Sequence, residues 1–374
     1  MVSRRRAFVT ASPLARLTVD LAAMGRNFDA LQSHAGDAEV APVLKADAYG
    51  IGSQVRTPVT DYLYTHKNVR TIFVATFAEA TSLMLTSGRS GQEITVYALN
   101  GYAGEPRRAE WEATPVLSSP AQARAWQESG GGPCGIALDI GMNRLGMSID
   151  EALALPASAG LDPHSITLVV MHLSHAGEPA AKENAAQAEL FAKWSGALEA
   201  AYPQARFSLS NSGGLMMDLP AAQQVVRPGY ALYGGAPDGN PDHALESVAS
   251  FTAPVIMTRE VTPGETAGYG GTWTAKRPSR LATIGAGYAD GYMRALSNKG
   301  VVWLGGAECP VAGIVSMDLV TIDITDAPAP ISPGDRAELF GEHIKLDRLA
   351  GLADTIGYEL LTAVGNRVER VYTM

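Results

Sequence analysis

The stretch Pro42-Val43-Leu44-Lys45-Ala46-Asp47-Ala48-Tyr49-Gly50-Ile51-Gly52 runs from a short apolar segment straight into a lysine, an aromatic hydroxyl and two glycines. Val40-Ala41-Pro42-Val43-Leu44 reads as a buried strand, with Pro42 near its start, where a missing N–H does not break a ladder. Gly50 and Gly52 read as the turn that ends it. A lysine at the end of a buried strand lies partly in low dielectric, which disfavours the ammonium form and lowers its pKa. Such a lysine is a candidate Schiff-base nucleophile, whereas an isolated one is more often a strand end snorkelling into water. The remainder of the chain decides between these.

Outward from this stretch, strand and helix alternate. Residues from Leu14 to Leu21 alternate as a half-buried strand does, and Leu21 to His34 keeps helical spacing through Met24, Phe28 and Leu31. Further strands are expected at 71–75, 93–97, 114–117, 135–139, 166–171, 207–210 and 224–227, with helices at 78–85, 120–128 and 180–201. Counting the lysine strand, about eight strands with polar or Gly-rich ends predict a parallel (β/α)8 barrel of the TIM type wrapped in helices. In such barrels the chemistry sits at the C-terminal strand ends. The residues there are Lys45, Tyr49, Asn143, Arg144, His172, Asn211, Ser212, Arg227 and Tyr230.

After about residue 245 the texture changes to short strands with Gly/Pro turns, at 255–257, 281–284, 301–304, 310–315 and 319–324, and helical pattern returns only at 346–353. The expected organisation is a barrel over 18–244 and a β-rich domain over 245–374, with residues 8–17 a strand joining the latter and the junction near the turn-rich 238–241.

The chain has 374 residues, 46% of them hydrophobic and 18% charged, which fits a globular enzyme with a large core. A net charge of −9 and no basic run beyond Arg4-Arg5-Arg6 argue against nucleic acid as a partner. Two cysteines, Cys134 and Cys309, provide neither a disulfide framework nor a Cys-x-x-Cys metal site. Arg5-Arg6-Ala7-Phe8-Val9 has part of a twin-arginine pattern, but Pro13, Arg16 and Asp20 interrupt the apolar segment a signal needs. No run of 18 apolar residues is present, so a cytoplasmic protein that does not enter membranes is expected.

Taken together, several blocks resemble one family in order. Val43 to Gly50 is similar to the pyridoxal-phosphate lysine motif of alanine racemases. Asp139 to Gly146, Asn211-Ser212 and Arg227 to Gly234 follow, and then, in the second domain, Gly268-Tyr269-Gly270, Gly287 to Gly291, Ser316-Met317-Asp318, Tyr358-Glu359 and Gly365 to Val368. The resemblance runs from about Leu14 to the C-terminus.

The resemblance implies pyridoxal 5'-phosphate held on Lys45, and racemisation of alanine by two bases, Lys45 on one face of the substrate and Tyr269 on the other, supplying D-alanine for cell-wall peptidoglycan. A tyrosine with an ordinary pKa near ~10 needs help to act as a base. The family supplies it through a cation and a histidine, here Arg227 and His172. Arg227 would face the pyridine nitrogen and keep it unprotonated, weakening the ring as an electron sink. Tyr49, His172, Asn211, Ser212, Gly229, Tyr230 and Tyr358 complete the implied cofactor site. Arg144, Met317 and Tyr288 are the implied contacts to an amino-acid substrate. The implied assembly is a homodimer with composite active sites.

Three positions depart from the family pattern. Ala137 stands where members often carry a carbamylated lysine that braces the substrate arginine, Ile314 where an arginine is common, and Gly177 where an acid is common. A broader-specificity racemase, such as one acting on serine, is therefore the nearest alternative. An amino-acid decarboxylase of the same fold would place an acid where Arg227 stands. A metal-dependent aldolase or dehydratase would need a His-x-Cys pair, and a cofactor carrier would lack the second domain. Gly285-x-Gly287 has no βαβ frame around it, and His172-x-x-His175 has no third ligand, so neither a dinucleotide nor a metal is expected.

Overall fold

The computed structural model describes residues 15–52, 58–87, 94–104, 113–217, 219, 221–240 and 244–374. The expected N-terminal arm, residues 8–14 of the joining strand, Glu93 and Pro241 lie outside them. The chain divides into two units, Leu21–Glu246 and a second built from residues up to Asp20 together with Ser247–Thr373.

The chain's first strand, β1 (Arg16–Asp20), belongs to the second unit and is followed at once by helix α1 (Leu21–Ala35), which opens the first. Leu21, Met24, Phe28 and Leu31 form the buried face of α1. The strands that follow are β2 (Glu39–Val40), β3 (Thr71–Val74), β4 (Thr95–Ala98), β5 (Ala113–Leu117), β6 (Cys134–Ala137), β7 (Ile166–Val170), β8 (Arg206–Ser208) and β9 (Val225–Val226). β3 to β8 form one parallel ladder in chain order, and β2 pairs in parallel with β9. Backbone bonds join that pair to both ends of the ladder. On one side Phe73 N–H donates to Pro42 O at 2.9 Å and Leu44 N–H to Phe73 O at 2.7 Å; on the other Gln224 N–H donates to Phe207 O at 3.0 Å and Arg227 N–H to Ser210 O at 2.9 Å. The six and the two thus close into a parallel ring. Its strands are almost continuously apolar and buried, as strands covered on both faces must be.

Helices α2 (Pro58–Lys67), α3 (Phe77–Ser87), α4 (Pro120–Glu128), α5 (Ile149–Leu153), α6 (Leu155–Ala159), α7 (Lys182–Ala201) and α8 (Ser212–Met216) connect the strands. Local signals set their starts. Ser119 accepts from Gln122 N–H at 3.2 Å with Pro120 at the first turn of α4, and Ser148 and Glu151 form a reciprocal capping box at α5. At the N-terminal strand ends Arg206 pairs with Glu39 and donates to Thr71 Oγ1 at 3.3 Å.

The lysine strand differs from expectation. Only Glu39–Val40 forms a ladder, with a single bridge from Val43 to Phe73, and the turn begins at Lys45 rather than at Gly50. Helices α2, α5, α6 and α8 were not anticipated, because short amphipathic segments carry little periodic signal.

In the second unit β1 lies between β10 (Ala249–Val261) and β18 (Glu369–Thr373), antiparallel to the first and parallel to the second. The hairpin β11 (Thr266–Ala267) and β12 (Trp273–Thr274) stands apart, while β13 (Ser279–Ile284), β14 (Val301–Leu304), β15 (Ala307–Pro310), β16 (Val320–Asp323) and β17 (Arg336–Phe340) complete the sheet, with α9 (Leu346–Leu352) and α10 (Gly357–Thr362) before β18. The expected strand over 255–257 is part of the 13-residue β10, which bulges between Val255 and Met257 and changes partner there. The expected strand over 310–315 ends at Pro310. Beyond it, Gly313 N–H donates to Asn298 Oδ1 at 2.7 Å and Val315 N–H to Ser297 Oγ at 3.0 Å, so side chains replace most of the ladder. Among the described residues, no helix is long and apolar enough to cross a membrane.

Two glycines give opposite expectations. A Cβ at Gly287 would strike the carbonyl oxygens of Ser316 and Met317, so Gly287→Ala should cost ~1–3 kcal/mol. Gly196, inside α7, has nothing within 4 Å of its would-be Cβ, so Gly196→Ala should add ~0.5–1 kcal/mol. Urea unfolding checks both, and equal midpoints for the two variants would contradict the packing described.

Candidate active site

Lys45 opens a left-handed turn. Ala46, Asp47, Ala48 and Tyr49 have φ of 53°, 55°, 49° and 58°, a conformation costing ~1–2 kcal/mol per residue for L-amino acids. The turn is held from outside by Glu79, whose Oε1 accepts Ala46 N–H at 2.9 Å. Its other oxygen accepts Ala75 N–H at 2.7 Å and Thr76 N–H at 3.2 Å. Lys45 is half-buried. Burial first, then the Arg144 cation, lower its pKa below the ordinary lysine value; Glu79 opposes this and Arg227 adds to it.

Arg227 follows β9 and is only 3% exposed. Its guanidinium donates to Ser208 Oγ, to Met171 O at 2.9 Å and to Leu209 O at 3.3 Å, all uncharged. Burial brings its pKa down to about 10. Nη2 also faces His172 Nδ1 at 3.3 Å. A guanidinium only donates, so Nδ1 is the acceptor and the ring proton sits on Nε2. Burial, with the Arg227, Arg144 and Lys45 charges, pushes His172 down to about 3, so the ring is neutral.

A cradle of donors lies at the ends of β8 and β9. Asn211 caps α8, its side chain accepting Gly214 N–H at 3.0 Å. Ser212 Oγ accepts Gly229 N–H at 3.0 Å and Ala231 N–H at 3.2 Å. A Cβ at Gly229 would run into the Tyr49 hydroxyl, so the absence of a side chain brings that hydroxyl onto the backbone. The Tyr49 ring packs on Tyr233 with centroids 5.0 Å apart, and Tyr233 Oη donates to Val43 O at 2.9 Å, buttressing the lysine turn. Tyr230 is buried beside them.

Arg144 is carried by a loop wrapped around Asp139, whose carboxylate accepts the N–H groups of Gly141 at 2.8 Å and of Met142 and Asn143 at 2.9 Å. Asn143 sits at φ 55°. Arg144 itself is exposed, with no hydrogen bond or ion pair to another described residue. The loop is secured instead by buried Gln187, which donates to Ile140 O at 3.2 Å and accepts Ser174 N–H at 3.0 Å. Among the described residues no group of three or more His, Cys, Asp or Glu is placed to hold a metal ion.

The other expected residues lie in the second unit. Tyr269 stands on a short turn between Gly268 and Gly270, whose φ values are 73° and 68°, and is 73% exposed. The strand-end loops carrying Tyr288 and Met317 are joined by Tyr288 N–H to Ser316 O and Ala289 N–H to Met317 O, each 3.0 Å. Beneath them buried Asp290 accepts Arg367 Nε at 2.6 Å, and Arg367 also pairs with Asp318 at 2.7 Å. Burial pushes the Tyr358 hydroxyl up to about 12.

Family profiles for the alanine racemase N-terminal and C-terminal domains match residues 19–237 and 248–372. The chain belongs to the alanine racemase family. Alanine racemase of Acidiphilium cryptum is 44% identical over 365 residues, 95% of this chain and 98% of that protein. Two crystal structures share the architecture at 31% identity over 96% of this chain and 99% of theirs. One is alanine racemase from Bartonella henselae with covalently bound pyridoxal phosphate, TM-score 0.85, and the other the biosynthetic enzyme of Pseudomonas aeruginosa, TM-score 0.86.

Within this alanine racemase family chain, the first unit brings Lys45, Tyr49, Arg144, His172, Asn211, Ser212, Arg227, Gly229 and Tyr230 to the C-terminal ends of the barrel strands. Sequence reading missed Glu79, Gln187 and Tyr233, whose roles depend on partners 33, 47 and 190 residues away. One signal was available for Glu79, the spacing Thr76-x-x-Glu79 of a helix capping box.

The neutral state of His172 has a pH consequence. Below its unfolded pKa of 6.5 the unfolded chain binds a proton that the folded chain refuses until about pH 3, so stability falls as pH drops through this window. One such group contributes a slope of at most about 1.4 kcal/mol per pH unit. His172→Gln should flatten the stability profile between pH 6.5 and 3 by this amount; an unchanged slope in chemical denaturation would show that His172 is protonated in the folded state.

Proposed function

We propose that this chain racemises L- and D-alanine with pyridoxal 5'-phosphate held on Lys45, supplying D-alanine for peptidoglycan. The observation that carries the reading is the meeting, at one barrel mouth, of a half-buried lysine with a lowered pKa, a buried guanidinium with only neutral partners, and the donor cradle around Ser212. These residues fit the cofactor. The Ser212 hydroxyl, the Gly229 and Ala231 N–H groups that it now accepts, and the Tyr49 hydroxyl suit a phosphate monoester, with Asn211 and Tyr230 shaping the cradle. An amine with a lowered pKa suits a carbonyl. Arg227, lacking a carboxylate, suits an unprotonated pyridine nitrogen.

Bound there, pyridoxal phosphate supplies an electron sink that acidifies the hydrogen on the substrate's α-carbon. Lys45 Nζ anchors the cofactor and, when released by substrate, takes or returns a proton on one face. Arg227 disfavours a second positive charge on the nitrogen it faces, which limits charge withdrawal and favours return of the proton over other outcomes. Arg144 orients the substrate carboxylate through charge-assisted hydrogen bonds, with the Met317 backbone and Tyr288 completing that pocket. Tyr269 would handle the proton on the opposite face.

We further infer a head-to-tail homodimer in which Tyr269 of each copy serves the Lys45 of the other. Tyr269, Tyr288, Met317, Leu319 and Ile356 are exposed large side chains of the second unit, available to a partner copy. A two-fold pairing covers both copies equivalently and gives two composite sites. Both cysteines are buried and unpaired, in keeping with a reducing cytoplasm.

Borohydride treatment of the yellow protein should fix the cofactor on the peptide containing Lys45, and label on any other lysine would sink the assignment. Complementation tests the shared site. Lys45→Ala and Tyr269→Phe proteins should each lose ~10²–10⁴-fold in activity. Refolded together, about half the dimers are hybrids with one intact site, so about a quarter of full activity should return. Hybrids that form and stay inactive would place both bases on one chain.

A further inference from the structure

We propose that Glu79 is a positioning residue for Lys45: its carboxylate fixes the peptide that follows the lysine. The inference rests on the reading of Lys45 given above. An ordinary capping box uses the acid only at its own helix. Glu79 does this, since Glu79 N–H donates to Thr76 Oγ1 at 3.2 Å while Thr76 N–H donates back to Oε2 at the same distance. The second oxygen is free of that task and reaches 33 residues along the chain to Ala46 N–H at 2.9 Å. A hydrogen bond to a carboxylate is about twice as strong as a neutral one.

Ala46 is where such a bond counts most. It is the first of the four consecutive left-handed residues, its φ and ψ being 53° and 49°, and its methyl can make no polar contact of its own. Leu44, on the other side of the lysine, is held by its N–H bond to Phe73 O at 2.7 Å, the end of the strand that leads to Glu79. The peptide that follows Lys45 and the one that precedes Leu44 are therefore both bound to one segment, Phe73–Glu79. A lysine that must release and regain its covalent partner each turnover needs a backbone that does not relax while it is free.

Charge points the same way. The groups acting on Lys45 are Arg144 from the loop after β6, Arg227 from the end of β9 and Glu79 from α3, and Lys45 in turn acts on His172 after β7. Glu79 is the one anion among them.

The test compares Glu79→Gln, Glu79→Asp and Thr76→Ala with the unaltered holoenzyme, after borohydride labelling. Gln keeps the side chain's shape and removes its charge. The visible absorption of the lysine-bound cofactor should then titrate at a pH lower by on the order of one unit, and kcat should fall ~10- to 100-fold with little change in KM. Asp keeps the charge and shortens the reach, so its titration should stay near the unaltered midpoint while kcat drops; it keeps the test alive if the Gln protein does not fold. Thr76→Ala breaks only the capping box and should lower the melting temperature without moving the titration. An unmoved midpoint in Glu79→Gln, or an equal movement in Thr76→Ala, would overturn the role of Glu79 while leaving Lys45 labelled. An unlabelled Lys45 in the unaltered protein would overturn the reading of function instead.

Discussion

The rest of the site depends on a buried cation with no anion beside it. Taking a guanidinium out of water costs several kcal/mol even after relaxation, and Arg227 is compensated by the dipoles of a hydroxyl, carbonyls and an imidazole and by the face of the Phe73 ring, 6.0 Å away. Those partners come from the ends of β7 and β8, so the same bonds that tolerate the charge also tie the strand ends where the barrel closes. The charge is felt well beyond them. Added to burial, it helps keep His172 neutral and joins Arg144 in disfavouring the ammonium form of Lys45. With Glu79 the one acid acting on that lysine, the mouth is built to receive negative charge, as an amino acid's carboxylate and a phosphate both bring.

Much of this was legible in the sequence. The apolar strands announced the barrel because a parallel strand is buried on both faces and reads as a continuous run. The polar residues that interrupt those runs, Lys45, Arg144, His172, Ser212 and Arg227, stood out for the same reason. What the sequence hid was how each is held. Nothing in Lys45-Ala46-Asp47-Ala48-Tyr49 signals four left-handed residues, since none is glycine and the strain is borne by a glutamate far along the chain. Gln187 looks like any helix residue, yet it links the Arg144 loop to the loop after β7. Ala137 raised the question of what steadies Arg144, and the answer is the loop's own backbone wrapped on Asp139.

The second unit solves a similar problem by other means. The loops that carry Tyr288 and Met317 are steadied by a buried carboxylate rather than by strands. Asp290 accepts Gly287 N–H at 2.9 Å and both Arg367 bonds, at 2.6 and 2.9 Å. Arg367 then reaches Asp318, the neighbour of Met317, so one guanidinium spans the loops that present Tyr288 and Met317. Rigid support beneath exposed side chains is what a surface needs if it is to complete a partner's site without reshaping itself.

The placement of β1 bears on how the chain is made. One neighbour of this strand, β10, follows soon after the barrel, but the other lies far along the chain: Arg16 pairs with Glu369, 353 residues later. The barrel is complete in sequence by Glu246, long before β18 exists. During that interval the edge of β1 that β18 will cover is open, which in a nascent chain invites pairing with the wrong strand. Closing such a distant pairing is entropically slow, so the seam between β1 and β18, rather than the barrel, is the late step in folding.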